Sequence, residues 1–196
     1  MKIILCLIML FGLLGNTIAE KSVFELKNEI EEVREYIEEA TDVVQESVQE
    51  QAEINLTVPF QAQAPHGNWD LPYQEACEEA ALIQAYHYFS DQELSADKMD
   101  QEILELVEWE TKNLGTYSDT SLAEVKIIAE KYFDFEMEII EDVSEESIKQ
   151  NLIKGFLVLA PTAGRELGNP NFSNEGPLYH FLVVRGFDSK KFITND

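Results

Sequence analysis

The chain has 196 residues, with 38 acidic side chains against 14 basic ones and a formal net charge of -24. That balance excludes a phosphate-neutralising nucleic-acid surface and disfavours docking on anionic lipid. Hydrophobic residues make up 45%, enough for a packed core, and two cysteines exclude a disulfide-stapled scaffold.

In chain order, Met1-Lys2 is followed by the apolar run Ile3 to Leu14 and by small residues at Thr17 and Ala19. Residues 1–19 therefore read as a secretory signal peptide, which predicts an extracytoplasmic protein, or an N-terminally anchored one if the signal stays. Cleavage removes Cys6 and leaves Cys77 as a lone thiol. Residues 20–53 contain neither Gly nor Pro, and hold twelve acids against three basic residues. Leu26, Ile30, Val33, Ile37, Ala40 and Val44 step at helical spacing. An acidic helical stalk or spacer is expected there, with weak self-association through the stripe as its rival.

Val58-Pro59-Phe60 ends this pattern, and residues 54–196 read as the folded domain. Gln61 to Tyr73 holds Pro65, Gly67 and Pro72 and is expected as an ordered loop, packed by Trp69 over the helix that follows. Helices are expected over Cys77–Phe89, Ala96–Thr111, Ser121–Tyr132 and Glu145–Lys154. Ser121 and Glu124 make a capping-box pair. Strands are expected over Phe135–Ile140, Phe156–Ala160, Phe181–Phe187 and Phe192–Asn195. Helices first and strands afterwards predict an α+β fold with segregated layers.

A lone thiol where a loop enters a helix is either a small buried residue or a nucleophile. The free N–H groups of a helix start favour a thiolate and can face an oxyanion. Glu78 and Glu79 oppose this, because carboxylates beside the sulfur hold its proton on. Of the three histidines, His66 lies in the loop, and His87 is more than two turns along the helix from Cys77. His180 opens the apolar run Phe181 to Val184 and can aim at a cleft. A turn at Asp188-Ser189-Lys190 returns Asn195 and Asp196 near His180, and strand alternation lets only one of them face it. Asp188, at the turn, is the poorer candidate.

Together these segments carry a resemblance. Val58-Pro59-Phe60-Gln61-Ala62-Gln63-Ala64-Pro65, Gly67-Asn68-Trp69 and Cys77-Glu78-Glu79-Ala80 precede His180-Phe181-Leu182-Val183-Val184-Arg185-Gly186-Phe187-Asp188 and Ile193-Thr194-Asn195-Asp196. In that order they resemble the papain-like cysteine peptidases of the bacteriocin-processing type (cysteine peptidase family 39), in particular their exported, transporter-free relatives. The resemblance spans about Asn55 to Asp196. It implies a papain-like fold, with an active-site helix packed on an antiparallel sheet. It further implies Cys77 as nucleophile, His180 as general base and then acid, and Asp196 as the residue that orients it. Gln63 fits the Pro-Phe-x-x-Gln position of the oxyanion-hole amide best, with Gln74 and Gln61 as alternatives. Glu78 stands where the bacteriocin-processing enzymes usually have Gly, which puts their double-glycine preference in doubt for this chain. The chain ends at the Asp so assigned, and a native continuation beyond it is expected.

The expected function is an exported thiol hydrolase that cleaves peptide or amide bonds through a thioester. Its rivals are a non-catalytic papain-like binding module and an acyl transferase using the same triad. The expected partner is a peptide or protein substrate. No cofactor, metal or nucleic acid is expected, because no His/Cys cluster has ligand spacing and no Gly-rich phosphate loop occurs.

Overall fold

The computed structural model describes residues 30–34, 37 and 53–196. The expected signal peptide and most of the expected stalk lie outside the described residues. Residues 30–34 and 37 are helical, and Ile30, Val33 and Ile37 are exposed. Among the described residues no helix is long and apolar enough to cross a membrane.

Residues 53–196 combine four helices with an antiparallel sheet, which is compatible with the expected α+β papain-like fold. Helix α1 (Cys77–Phe89) is buried on nearly every face, from Cys77 to Ala85 and again at His87. Ala80, Ala81, Leu82, Ile83 and Ala85 leave it no polar stripe, so it can only be stable between other layers. It lies against the sheet on one side and against α2 (Ala96–Asn113) on the other. Leu82 and Ile83 are wholly inaccessible. Truncating either to Ala removes about 2–5 kcal/mol.

Helix α2 is amphipathic. Met99, Ile103, Leu106 and Glu110 recur at steps of three and four and are buried, while the opposite face is acidic and exposed. Ser95 caps it by accepting from the Lys98 N–H at 3.2 Å. Helix α3 (Leu122–Lys131) starts at the predicted capping box, with the Ser121 and Glu124 side chains and backbones bonded reciprocally. Helix α4 (Glu145–Ile153) is capped by Ser144 and buries Leu152 beneath the sheet.

The sheet holds β1 (Ile54–Asn55), β2 (Val158–Ala163), β3 (Tyr179–Phe187) and β4 (Phe192–Asn195). Strand β3 is the hub and pairs antiparallel with the other three. Its residues 180–184 are all buried, as a strand covered on both faces requires. Against β4, Val184 and Gly186 face Thr194 and Ile193, so Arg185 is an extra, bulged residue. The bulge re-aims its side chain. Gly186 is needed where β1 crosses, because a Cβ there would lie 2.1 Å from the Ile54 carbonyl oxygen.

Two expected strands differ. Phe135–Ile140 is extended but joins no sheet. Phe135 packs on α1 through Phe89 and Tyr86, so its alternation reflects docking on a helix rather than pairing. Strand β2 runs from Val158 to Ala163 rather than from Phe156 to Ala160, and Phe156 is exposed. Pro161 suggests a strand end in sequence, but on an edge strand its missing N–H costs no ladder bond.

Candidate active site

Helix α1, strands β3 and β4 and the loop after β1 converge on one small pocket. It is lined by Gln61, Ala62, Gln63, Cys77, Ala80, Ala81, Gln84, His180, Phe181, Leu182, Asn195 and Asp196. Cys77, His180, Asp196 and Gln63 are thus brought together from sequence positions more than a hundred residues apart.

Cys77 is the first residue of α1, so the N–H groups of its turn have no intrahelical acceptor. Its thiol is buried and free. The S–H donates to Glu78 Oε2 at 3.0 Å, and the backbone of Phe181 reaches the sulfur from β3. Burial pushes the thiol well above its ordinary value, and Glu78 adds to the effect through its charge and its hydrogen bond. The Phe181 backbone contact works the other way and is outweighed. A resting thiolate, favoured by the helix start alone, is therefore not what this geometry holds. Burial, with the Glu78 carboxylate adding to it, outweighs the helix start.

His180 is the second residue of β3 and is buried. Its Nε2 lies 2.6 Å from Asp196 Oδ1. That leaves Nδ1 as the ring nitrogen available to the pocket. The Phe172 ring meets the imidazole edge-on at 5.3 Å between centroids. Gly164 allows the chain to pass behind it, since a Cβ there would lie 3.1 Å from His180 Cβ and closer still to Pro177. The second Asp196 oxygen, Oδ2, accepts from Asn169 Nδ2 at 2.7 Å. Burial alone would raise the Asp196 carboxyl. The bonds from His180 and Asn169 outweigh it and hold the group below the usual carboxylate range.

Of the two residues at the end of β4, Asp196 faces His180 and Asn195 turns inward. Asn195 Nδ2 donates to Gln84 Oε1 at 2.8 Å and reaches the carbonyls of Val58 and Pro59 at 3.4 and 3.3 Å. Its Oδ1 accepts from the bulged Arg185 Nε at 2.8 Å. Arg185 also bonds Asn55 and the Leu56 carbonyl, so this knot ties β1 and the following loop to β3 and β4. Asp188 instead caps its own turn through the N–H groups of Lys190 and Lys191.

Gln63 Nε2 donates to the Tyr73 carbonyl at 2.8 Å, which uses one of its two amide hydrogens. Gln61 Nε2 donates to the Leu94 carbonyl at 3.2 Å. Both glutamines line the pocket, whereas Gln74, in the short turn Tyr73–Glu75, is exposed. Trp69 is 58% exposed and does not pack the loop over α1. Tyr73 does the anchoring instead, with its hydroxyl donating to Asp100 Oδ1 at 2.6 Å. His66 sits outside the pocket, 3.4 Å from Asp97. His87 is a core residue whose Nε2 lies 2.8 Å from Glu102.

Behind Cys77, Glu79 and Glu110 are both inaccessible and lack a protein donor, and their carboxyls face one another. Two carboxylates so placed cannot both be charged, so one proton is shared. Burial, then mutual repulsion, pushes Glu79 up. Burial, with Glu78 and Glu124 adding to it, pushes Glu110 up to about 7.

Sequence reasoning missed Asn169, Phe172 and the Asn195–Gln84–Arg185 knot. Asn169 and Phe172 sit in an irregular stretch with no periodicity to place them. Among the described residues no group of three His, Cys, Asp or Glu is arranged to hold a metal. Residues 55–196 match the family model described as "Peptidase_C39 like family". No curated protein and no solved structure matches the chain.

Proposed function

Since the chain belongs to the peptidase C39-like family, we propose that it is an exported thiol hydrolase, with Cys77 as nucleophile, His180 as base and acid, and Asp196 as the group orienting His180. What carries this reading is the 2.6 Å contact between His180 Nε2 and Asp196 inside the pocket that Cys77 lines. It supports Nδ1 as the imidazole nitrogen that exchanges a proton with sulfur.

In the proposed reaction the Cys77 S–H proton moves to His180 Nδ1, and the sulfur attacks the carbonyl carbon of a peptide or amide. Charge builds on the carbonyl oxygen. The second Gln63 amide hydrogen and the Cys77 backbone N–H are the donors proposed to receive it. His180 passes its proton to the leaving amine, and a thioester remains. Water, deprotonated by His180, then releases the acid and restores the thiol. Asp196 keeps the imidazole in the tautomer this sequence of steps needs.

Export rests on residues 1–19, and N-terminal sequencing of secreted material, expected to begin near Glu20, tests it. The activity is tested with a fluorogenic peptide-amide library. Wild type is expected to release fluorophore, and Cys77→Ala and His180→Ala to release none. Hydroxylamine, as an amine acceptor, separates hydrolysis from acyl transfer by the mass of the product. No release by wild type above Cys77→Ala, with or without the acceptor, would favour the binding module.

A further inference from the structure

The residue after the nucleophile lies deeper than a helix surface position should. Glu78 is 2% exposed, although it carries a carboxylate in the first turn of α1. One oxygen, Oε2, accepts the Cys77 S–H, and the other has no partner. A buried carboxylate oxygen left without a donor is costly. Besides the Tyr179 hydroxyl, the side chain that this carboxyl meets is the one carrying the sulfur.

We propose that Glu78 is a catalytic residue of this site, an acid–base partner that holds the sulfur as a neutral thiol when ionised and donates to the thiolate when protonated. The proposal rests on the hydrolase reading given above. At higher pH the site holds Glu78 carboxylate, Cys77 S–H and neutral His180, a total charge of minus one. One proton taken from water goes to Glu78 Oε2, which turns that oxygen from acceptor into donor. The S–H bond then breaks, its electron pair stays on sulfur, and its proton moves to His180 Nδ1. The site now holds a neutral carboxyl, a thiolate and an imidazolium, a total charge of zero. In the attack on a carbonyl the Glu78 proton stays where it is, and His180 gives its proton to the leaving amine.

The groups around Glu78 come from every element packed on it. Cys77 and Glu79 share its helix, Glu110 approaches from α2, and Asp119 lies just ahead of α3. Tyr179 and His180 come from β3, with the Tyr179 hydroxyl interacting with the carboxyl itself. Burial, first, and the Asp119 charge raise Glu78 against the hydrogen bonds it accepts. Glu110, raised to about 7, gives up its proton as pH rises and adds negative charge behind the sulfur. Both effects suppress the thiolate as pH rises and release it as pH falls.

The test is the pH profile of Cys77 alkylation by iodoacetamide on the full chain, read by peptide mass spectrometry so that Cys6 does not interfere. An unassisted thiol alkylates about tenfold more slowly for each pH unit below its pKa. Wild type is expected to do the opposite between pH 7 and 5, with a rate that climbs several-fold. Glu78→Gln, which keeps the shape and removes the charge, is expected to react at least tenfold faster than wild type at pH 7. His180→Ala in that background is expected to abolish the gain. If Glu78→Gln and wild type share one profile while His180→Ala slows both, the role of Glu78 is overturned and the hydrolase reading stands. If His180→Ala alters nothing in either background, the hydrolase reading itself fails. Should Glu78→Gln not fold, the wild-type profile decides alone, and a rate that falls steadily from pH 7 to 5 rejects the proposal.

Discussion

Asp196 gives one carboxylate oxygen to His180 and the other to Asn169, so its orientation is fixed from two sides. Asn169 touches neither sulfur nor the imidazole. On the proposed hydrolase reading it acts through Asp196, as a positioning residue. Asn169→Ala removes a hydrogen bond to a charged group, worth about 1.5 kcal/mol at the low end. Peptidase turnover should then fall about tenfold, with KM nearly unchanged. The acid limb of the pH–rate profile should move up, because a bond that lowers Asp196 is gone. An unaltered acid limb would assign Asn169 a purely structural part. At this scale the sequence was legible where chemistry dictates residue type. Cys77 and His180 were candidates from a helix start and a strand opening, the hairpin left Asn195 and Asp196 open until the family resemblance implied Asp196, and Cys77, His180 and Asp196 line one pocket. The state of the thiol was not legible, because nothing in Cys77-Glu78-Glu79 says which glutamate turns toward sulfur. Glu78 does, and Glu79 turns to Glu110.

Among the elements, β3 does most to build the site. It carries His180 at one end and the Arg185 bulge near the other, and the bulge sends the guanidinium to Asn195, Asn55 and the Leu56 carbonyl. Asn195 completes the tie by donating to Gln84 on α1. Its polar atoms are buried, so losing the amide leaves several partners unsatisfied. Asn195→Leu should cost about 2–4 kcal/mol, seen as a lower urea midpoint with an unchanged slope. A loss below ~0.5 kcal/mol would mean water replaces the amide readily. Element boundaries followed local chemistry closely where caps were present. The Ser121–Glu124 box fixes α3, and α1 spans Cys77–Phe89 as its apolar run predicts. The reading failed at Phe135–Ile140, where alternation was taken for pairing. Two-residue periodicity reports only that one face is buried, and here the burying surface is a helix.

For the molecule as a whole, acidity is not confined to the surface, since Glu78, Glu79 and Glu110 are all buried. A carboxyl raised in the folded state binds its proton more tightly there than in the unfolded chain. Its contribution is therefore full below the unfolded value near 4.5 and is lost as pH rises through the folded value. With Glu110 at about 7, stability should decline between pH 5 and 8. Asp196, lowered by its partners, works in a separate window and loses its contribution only as pH falls below the ordinary carboxylate range. Urea midpoints at pH 5 and 8 test this, and Glu110→Gln should flatten the difference. Equal slopes in both proteins would show that the pair carries no linked proton. The tie between β1 and β3 has a kinetic consequence of its own. Ile54 pairs with Phe187, and Asn195 holds the Val58 carbonyl, so the two ends of a chain of about 140 residues must meet before the pocket exists. Contacts that close such long loops form late. Helices α1 to α3 can gather around Leu82, Leu106 and Ile128 while Cys77 still lacks both His180 and its loop. During refolding, far-ultraviolet circular dichroism should thus recover ahead of the native alkylation rate of Cys77. The reactivity of Cys77 would then mark the last stage of folding, and a chain still emerging in synthesis would carry an idle thiol.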